Sequence, residues 1–105
     1  MDGTLARIQA QAAARQIRIS AHAQQRMAAG RIRLTEVLEA IVTGQILEDY
    51  PVHRRGACCL LVGYTTAGRP LHVVCTSTTP LLVLITVYEP TPPKWITPTQ
   101  RRNSS

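Results

Sequence analysis

Gly68-Arg69-Pro70-Leu71-His72-Val73-Val74-Cys75 and Leu81-Leu82-Val83-Leu84-Ile85-Thr86-Val87-Tyr88-Glu89-Pro90, parted by the polar break Thr76 to Pro80, decide how this chain folds. Two runs rich in β-branched and apolar residues around a turn-rich segment read as a β-hairpin. The second run is nearly all apolar, which predicts a strand buried on both faces. Arg69 and His72 in the first run, and Thr86 and Tyr88 in the second, are side chains that such strands do not need for folding. They are the first candidates for function.

Outward from the hairpin, Ala57 to Tyr64 reads as a preceding strand turned at Thr65-Thr66-Ala67-Gly68-Arg69. Pro70 fits the first position of the next strand, where no ladder donor is needed. Gln45 to Tyr50 is another strand, ended by Pro51 and followed by the basic loop Val52-His53-Arg54-Arg55-Gly56. Thr35 is expected to cap a helix with Glu36 in its first turn, Val37, Leu38, Ile41 and Val42 on its core face, and Gly44 at its end. Ser20 is expected to cap an earlier helix, Ala21 to Ala29, closed by Gly30 at positive φ. Ile17-Arg18-Ile19 alternates as a short edge strand. Leu5 to Gln16 is made of strong helix formers with a thin apolar stripe of Leu5, Ile8 and Ala12, so it is expected to pack loosely. Beyond the hairpin, Thr91 to Ser105 carries Pro92, Pro93 and Pro98, Lys94, Trp95 and Arg101-Arg102. This stretch is expected to be extended and then disordered, with Trp95 folding back over apolar surface.

These elements give a helical extension over 1–16, an α+β domain over 17–95 and a disordered basic tail over 96–105. In the domain, two to three helices pack on one face of a small antiparallel sheet of about four strands. A chain of 105 residues suits one core. Its net charge of +6 favours a polyanionic partner, although solubility alone would also account for it. Met1-Asp2-Gly3-Thr4 opens without a basic-then-apolar pattern, so no signal peptide is expected. Cys58, Cys59 and Cys75 lack paired ligand spacing and read as buried apolar side chains in a reducing cytoplasm. A zinc site joining them to His22 or His72 is the weaker alternative, and no metal or cofactor is expected. Paired metal-binding acids, a phosphate-cradling glycine loop and a serine elbow are absent from the sequence.

Strand parity sorts the side chains. Pairing Tyr64 with Pro70 and Thr76 with Leu82 places Cys59, Leu61, Gly63, Leu71, Val73, Cys75, Leu81, Val83, Ile85 and Val87 on one uncharged face, expected to meet the helices. The other face holds Leu60, Val62, Val74, Leu82 and Leu84, with Tyr64, His72, Thr86 and Tyr88 toward one end. His72 then lies beside Thr86, with Tyr88 on the diagonal. Imidazole transfers protons near neutral pH, guanidinium holds phosphate through paired donors, and phenol hydrogen-bonds phosphate or stacks on a base. His22 and Arg26, four apart on one helix, are a second acid–base and phosphate pair. Glu48 and Asp49 read as partners of neighbouring arginines.

Ile19-Ser20-x-His22-Ala23-x-x-Arg26-Met27, Glu36-Val37-x-x-Ala40-Ile41-x-x-Gly44, Ile46-x-Glu48-Asp49-Tyr50-Pro51, Gly68-Arg69-Pro70-Leu71-His72-Val73-Val74 and Ile85-Thr86-Val87-Tyr88-x-Pro90 followed by Trp95 resemble the bacterial "domain of unknown function 4258" family. The resemblance runs from about Ile17 to Trp95. It implies an α+β domain similar to the RelE, ParE and BrnT toxins, partners in toxin–antitoxin pairs of which many cleave RNA without a metal. The family's motif positions fall at His22, Arg26, Arg69, His72 and Tyr88. The expected function is therefore a metal-independent ribonuclease toxin in which the RNA 2′-hydroxyl attacks its neighbouring phosphate. His72 and His22 carry protons, Tyr88 orients, Arg26 and Arg69 hold phosphate, and Arg54, Arg55 and Lys94 draw RNA in. A cognate antitoxin is the expected protein partner. The alternatives are a non-catalytic RNA- or protein-binding module and a plain interaction domain.

Overall fold

The computed structural model describes residues 3–51, 56–92 and 95–101. It is an α+β fold of helices α1 (Thr4–Ala13), α2 (Ala21–Gly30) and α3 (Leu34–Val42), with strands β1 (Ile17–Ile19), β2 (Gln45–Tyr50), β3 (Cys58–Tyr64), β4 (Pro70–Thr76) and β5 (Leu82–Tyr88). These strands form one sheet in the order β1-β5-β4-β3-β2, antiparallel except that β1 runs parallel to β5. The fifth strand is the short edge strand expected at Ile17–Ile19, and its parallel pairing departs from the wholly antiparallel sheet of about four strands read from sequence. Trp95–Thr97 (β6) and Gln100–Arg101 (β7) pair as a separate two-stranded hairpin, where the sequence predicts disorder from residue 96. Among the described residues no helix is long and apolar enough to cross a membrane.

The β3–β4 hairpin keeps the expected register, from Tyr64 opposite Pro70 to Cys58 opposite Thr76. Its turn is closed by Thr65 N–H to the Arg69 carbonyl and Gly68 N–H to the Thr65 carbonyl, both at 2.9 Å. Gly68 sits at φ +85°, which a side chain would disfavour.

The β4–β5 pairing differs from expectation in two ways. His72 lies opposite Tyr88, Val73 opposite Val87 and Val74 opposite Thr86, two residues away from the predicted register, so parity survives there. A bulge then places Cys75 opposite Leu84 and reverses the parity of the strand's first half. Leu82 and Leu84 therefore enter the core, fully buried, while Leu81, predicted inside, is 47% exposed. The cause lies in the connection: Val83 N–H donates to Thr76 Oγ1 (3.0 Å) instead of to a ladder carbonyl. Only Leu82, Leu84 and Val87 of β5 are fully buried, so the expected double burial of this strand does not occur.

The core gathers Ile8, Ala12, Ala23, Met27, Val37, Ala40 and Ile41 from the helices with Cys59, Leu61, Leu71, Val73, Cys75, Leu82, Leu84 and Val87 from the strands. Helix α1 is not loosely packed. Ile8 is fully buried, Gln9 donates to the Ile41 and Val42 carbonyls at the end of α3, and Gln11 donates to the Thr79 and Pro80 carbonyls. Satisfying those orphan helix carbonyls and loop carbonyls fixes α1 at both sides. Ser20 caps α2 as predicted, accepting from Ala23 N–H and donating to the Ile85 carbonyl, both at 3.0 Å. Its other end departs from prediction: Gly30 is the last helical residue, and Arg31 takes the left-handed position at φ 53°. Helix α3 begins one residue before Thr35, with Arg33 N–H donating to the Glu36 carboxylate at 2.9 Å. Cys58, Cys59 and Cys75 are buried and form no disulfide among the described residues, and Cys59 faces Cys75 directly across the ladder.

Helix α3 crosses β3 at Gly63, where a Cβ would lie 1.8 Å from the Ala40 carbonyl oxygen. Thr43 Oγ1 completes the contact by accepting from Tyr64 N–H at 2.9 Å. No rotamer relieves a clash with backbone. Gly63→Ala is accordingly expected to cost about 3 kcal/mol or to displace α3, read as a fall in urea midpoint at unchanged slope.

Candidate functional site

Strand positions outside that core carry Glu48 and Tyr50 on β2, His72 on β4, and Thr86 and Tyr88 on β5, covered in part by Trp95 and Arg101 of the C-terminal hairpin. His72 and Tyr88 emerge on the same side, directly opposite one another rather than on a diagonal. His72 is fully buried and bonded at both ring nitrogens. Its Nε2 is 2.6 Å from the Pro98 carbonyl oxygen, which can only accept, so Nε2 carries the proton. In the neutral ring Nδ1 is then the acceptor, and the Tyr88 hydroxyl donates to it at 3.2 Å. The Trp95 indole stands edge-on to the imidazole, with centroids 4.3 Å apart. In this arrangement the imidazole is out of reach of any solvent-borne substrate.

Tyr88 is half-buried, and burial raises its phenol pKa, opposed by Trp95, Arg101 and Arg26. The buried Trp95 N–H reaches no acceptor in hydrogen-bonding geometry among the described residues, although it is near enough to draw that pKa down. The phenol is therefore a neutral donor at pH 7 and not a base. Arg26 projects from α2 over the Tyr88 ring, 5.6 Å from its centroid. This contact occurs where β1 has ended and α2 runs beside β5, tied there by Ser20. Arg26, Ala29, Gly30, Tyr88 and Glu89 line a shallow depression of about 280 Å³ at that edge.

His22, one turn before Arg26, is exposed and does not line this depression. Arg69 is turned inward. It donates to Glu89 (2.5 Å) and to the Gly30 and Arg31 carbonyls (2.6 and 3.2 Å), with Glu36 at 3.6 Å. Its donors hold the β3–β4 turn to the end of α2, leaving little for phosphate. The Arg33 N–H, followed by the charges of Arg33 and Arg69, holds the Glu36 carboxyl below its ordinary pKa. Thr86 is partly buried opposite Val74. Arg54, Arg55 and Lys94 lie outside the described residues.

Three contributors were not singled out from sequence as site residues. Arg101 donates to both oxygens of Glu48 (3.1 and 2.7 Å) and stacks on Trp95, 4.6 Å from the ring centroid. Tyr50 donates to the same carboxylate, and burial together with that bond pushes its phenol up to about 12. The Arg101 hydrogen bonds hold the Glu48 carboxyl below its ordinary value. A further signal lies in the charge pattern: Gly3 to Thr35 contains Arg7, Arg15, Arg18, Arg26, Arg31 and Arg33 and no acidic residue, so the whole net charge of +6 resides there.

Glu48 has a lowered folded-state pKa, so its pairing with Arg101 contributes stability above pH 4.5, lost as pH falls through the lower folded value. Trp95, the only tryptophan, reports on this pairing. Its emission is expected to shift red as pH drops below about 4.5 and to be red-shifted already at pH 7 in Arg101→Ala.

Residues 19–89 match the family model described as Domain of unknown function (DUF4258). No curated protein matches the chain, and no solved structure does. The matched span includes Arg26, Arg69, His72 and Tyr88 and leaves α1 and the C-terminal hairpin outside. The chain belongs to the DUF4258 family.

Proposed function

We propose that this chain is an RNA-binding module whose binding face is the exposed side of α2 and its flanks. The observation that carries this reading is the segregation of charge: six arginines and no carboxylate between Gly3 and Thr35. Arg18, Arg26 and Arg31 are exposed and make no ion pair with a described acidic residue. Phosphate backbone supplies the matching charge, and the cations it displaces drive association. Within a RelE-like arrangement, with helices laid against one side of the sheet, this face is the one a cognate antitoxin would cover. The toxin of a toxin–antitoxin module is the biological setting that fits.

Metal-independent cleavage by His72, His22 and Tyr88 is the second reading. It is favoured by the His72–Tyr88 pair, whose polar atoms lie 3.2 Å apart. It requires the C-terminal hairpin to leave the imidazole, because His72 is fully buried beneath it.

A labelled single-stranded RNA, followed by anisotropy in EDTA, distinguishes the two. Three phosphate contacts predict a salt slope near −2, so affinity is expected to fall about fifteenfold between 50 and 200 mM salt, with the RNA intact. Combined Arg18→Ala, Arg26→Ala and Arg31→Ala is expected to remove most of that slope. Binding that ignores salt overturns the proposal. Cleavage that His72→Ala abolishes in a folded protein establishes the second reading instead.

A further inference from the structure

From the depression between α2 and the end of β5, we infer that this chain holds one unstacked nucleotide of single-stranded RNA there, base against Tyr88 and phosphate on Arg26. The inference rests on the RNA-binding reading and specifies the ligand. Its first support is the lining. Arg26, Ala29 and Gly30 come from the last turns of α2, and Tyr88 and Glu89 from the end of β5, around a volume of about 280 Å³. One wall is small side chain and backbone, one is an aromatic ring, and the rim carries one cation and one carboxylate.

Rigidity is the second support. The Tyr88 hydroxyl is bound to His72 Nδ1, and the imidazole is fixed in turn through the Pro98 carbonyl. A ring held from behind offers a stacking surface with little ordering left to do on binding. The buried histidine thus acts as a positioning residue for the tyrosine. The exposed Arg26 guanidinium stands 5.6 Å from the ring centroid. A swing of this long side chain admits a base beneath it or leaves the guanidinium on the attached phosphate.

The third support is the pairing of charges on the rim, which disfavours a plain anion. Glu89 Oε1 accepts from Arg69, and Oε2 has no hydrogen-bond partner among the described residues. A carboxylate oxygen repels inorganic phosphate but accepts from an exocyclic amino group. A nucleotide offers an anion, a flat apolar face and a donor edge together. Adenine, cytosine and guanine carry that amino group, whereas uracil offers one N–H flanked by two carbonyls. A duplex keeps its bases stacked and paired, so it cannot fill the depression.

Eight-residue oligomers of A, C and U, and a duplex of equal charge, are titrated into the intact protein by anisotropy and by ¹⁵N-detected NMR. Oligo-A and oligo-C are expected to bind about tenfold more tightly than oligo-U or the duplex, shifting the amides of Ala29, Gly30 and Glu89. Tyr88→Leu is expected to erase that preference. Arg26→Ala lies at an exposed position and leaves the core intact, so it serves if Tyr88→Leu fails to fold; it is expected to weaken oligo-C about tenfold. Glu89→Gln is expected to narrow the gap between C and U, since an amide offers a donor as well as an acceptor. Equal binding of all four ligands, with those amides unmoved, overturns the nucleotide pocket and leaves the basic face standing. Failure of every ligand to bind overturns both.

Discussion

His72 occupies the interior with both ring nitrogens bonded, and the strand positions outside the main hydrophobic core are organised by that fact. A buried imidazole nitrogen left unpaired would cost about 1–3 kcal/mol, a sizeable share of the marginal stability of a small domain. Here Nε2–H meets the Pro98 carbonyl and Nδ1 meets the Tyr88 hydroxyl. One residue therefore joins the middle of the sheet, the end of its penultimate strand and the C-terminal hairpin. Trp95, 2% exposed, stands edge-on against it, and Leu60 and Val62, which also lie outside the main hydrophobic core, are likewise buried.

Two arginines with the same apparent qualification meet opposite fates. Arg69 follows a positive-φ glycine, which aims it at the end of α2, where unpaired carbonyls and the negative end of the helix dipole gather a guanidinium. Glu89 and Glu36 complete its surroundings. Arg26 sits on a helix with no acidic residue and, among the described residues, meets the π-face of Tyr88 and no carboxylate within ion-pair distance. One cation is structural and the other is available, and the difference comes from neighbours brought together by the fold.

What could be read in advance follows from how local each cause is. Ser20 as a cap, Pro70 opening a strand and the Tyr64–Pro70 register depend on a few adjacent residues, and all three are found. The β5 parity depends on Thr76 Oγ1 standing in for a ladder partner, which no alternation in Leu81 to Tyr88 reveals. Gly30 was the natural left-handed residue, yet Arg31 takes that conformation, while a Cβ at Gly30 would lie 3.2 Å from the Ile32 side chain. Of the site, the His72–Tyr88 juxtaposition was legible from parity. The burial of His72 was not: Trp95 folding back is expected, but prolines and basic residues in the last stretch mask the hairpin whose Pro98 carbonyl meets the imidazole.

The parallel pairing of β1 with β5 reaches past folding into synthesis. Ile17 and Leu82 are partners some sixty-five positions apart. A nascent chain leaving the ribosome must therefore hold β1 idle, with its backbone groups solvated, until β5 has been translated. Contacts this distant along the chain slow the search for the native state. The early helices can form as they emerge, but the sheet acquires its final border last, so a truncated translation product lacks that border and exposes the β4 ladder as an open edge.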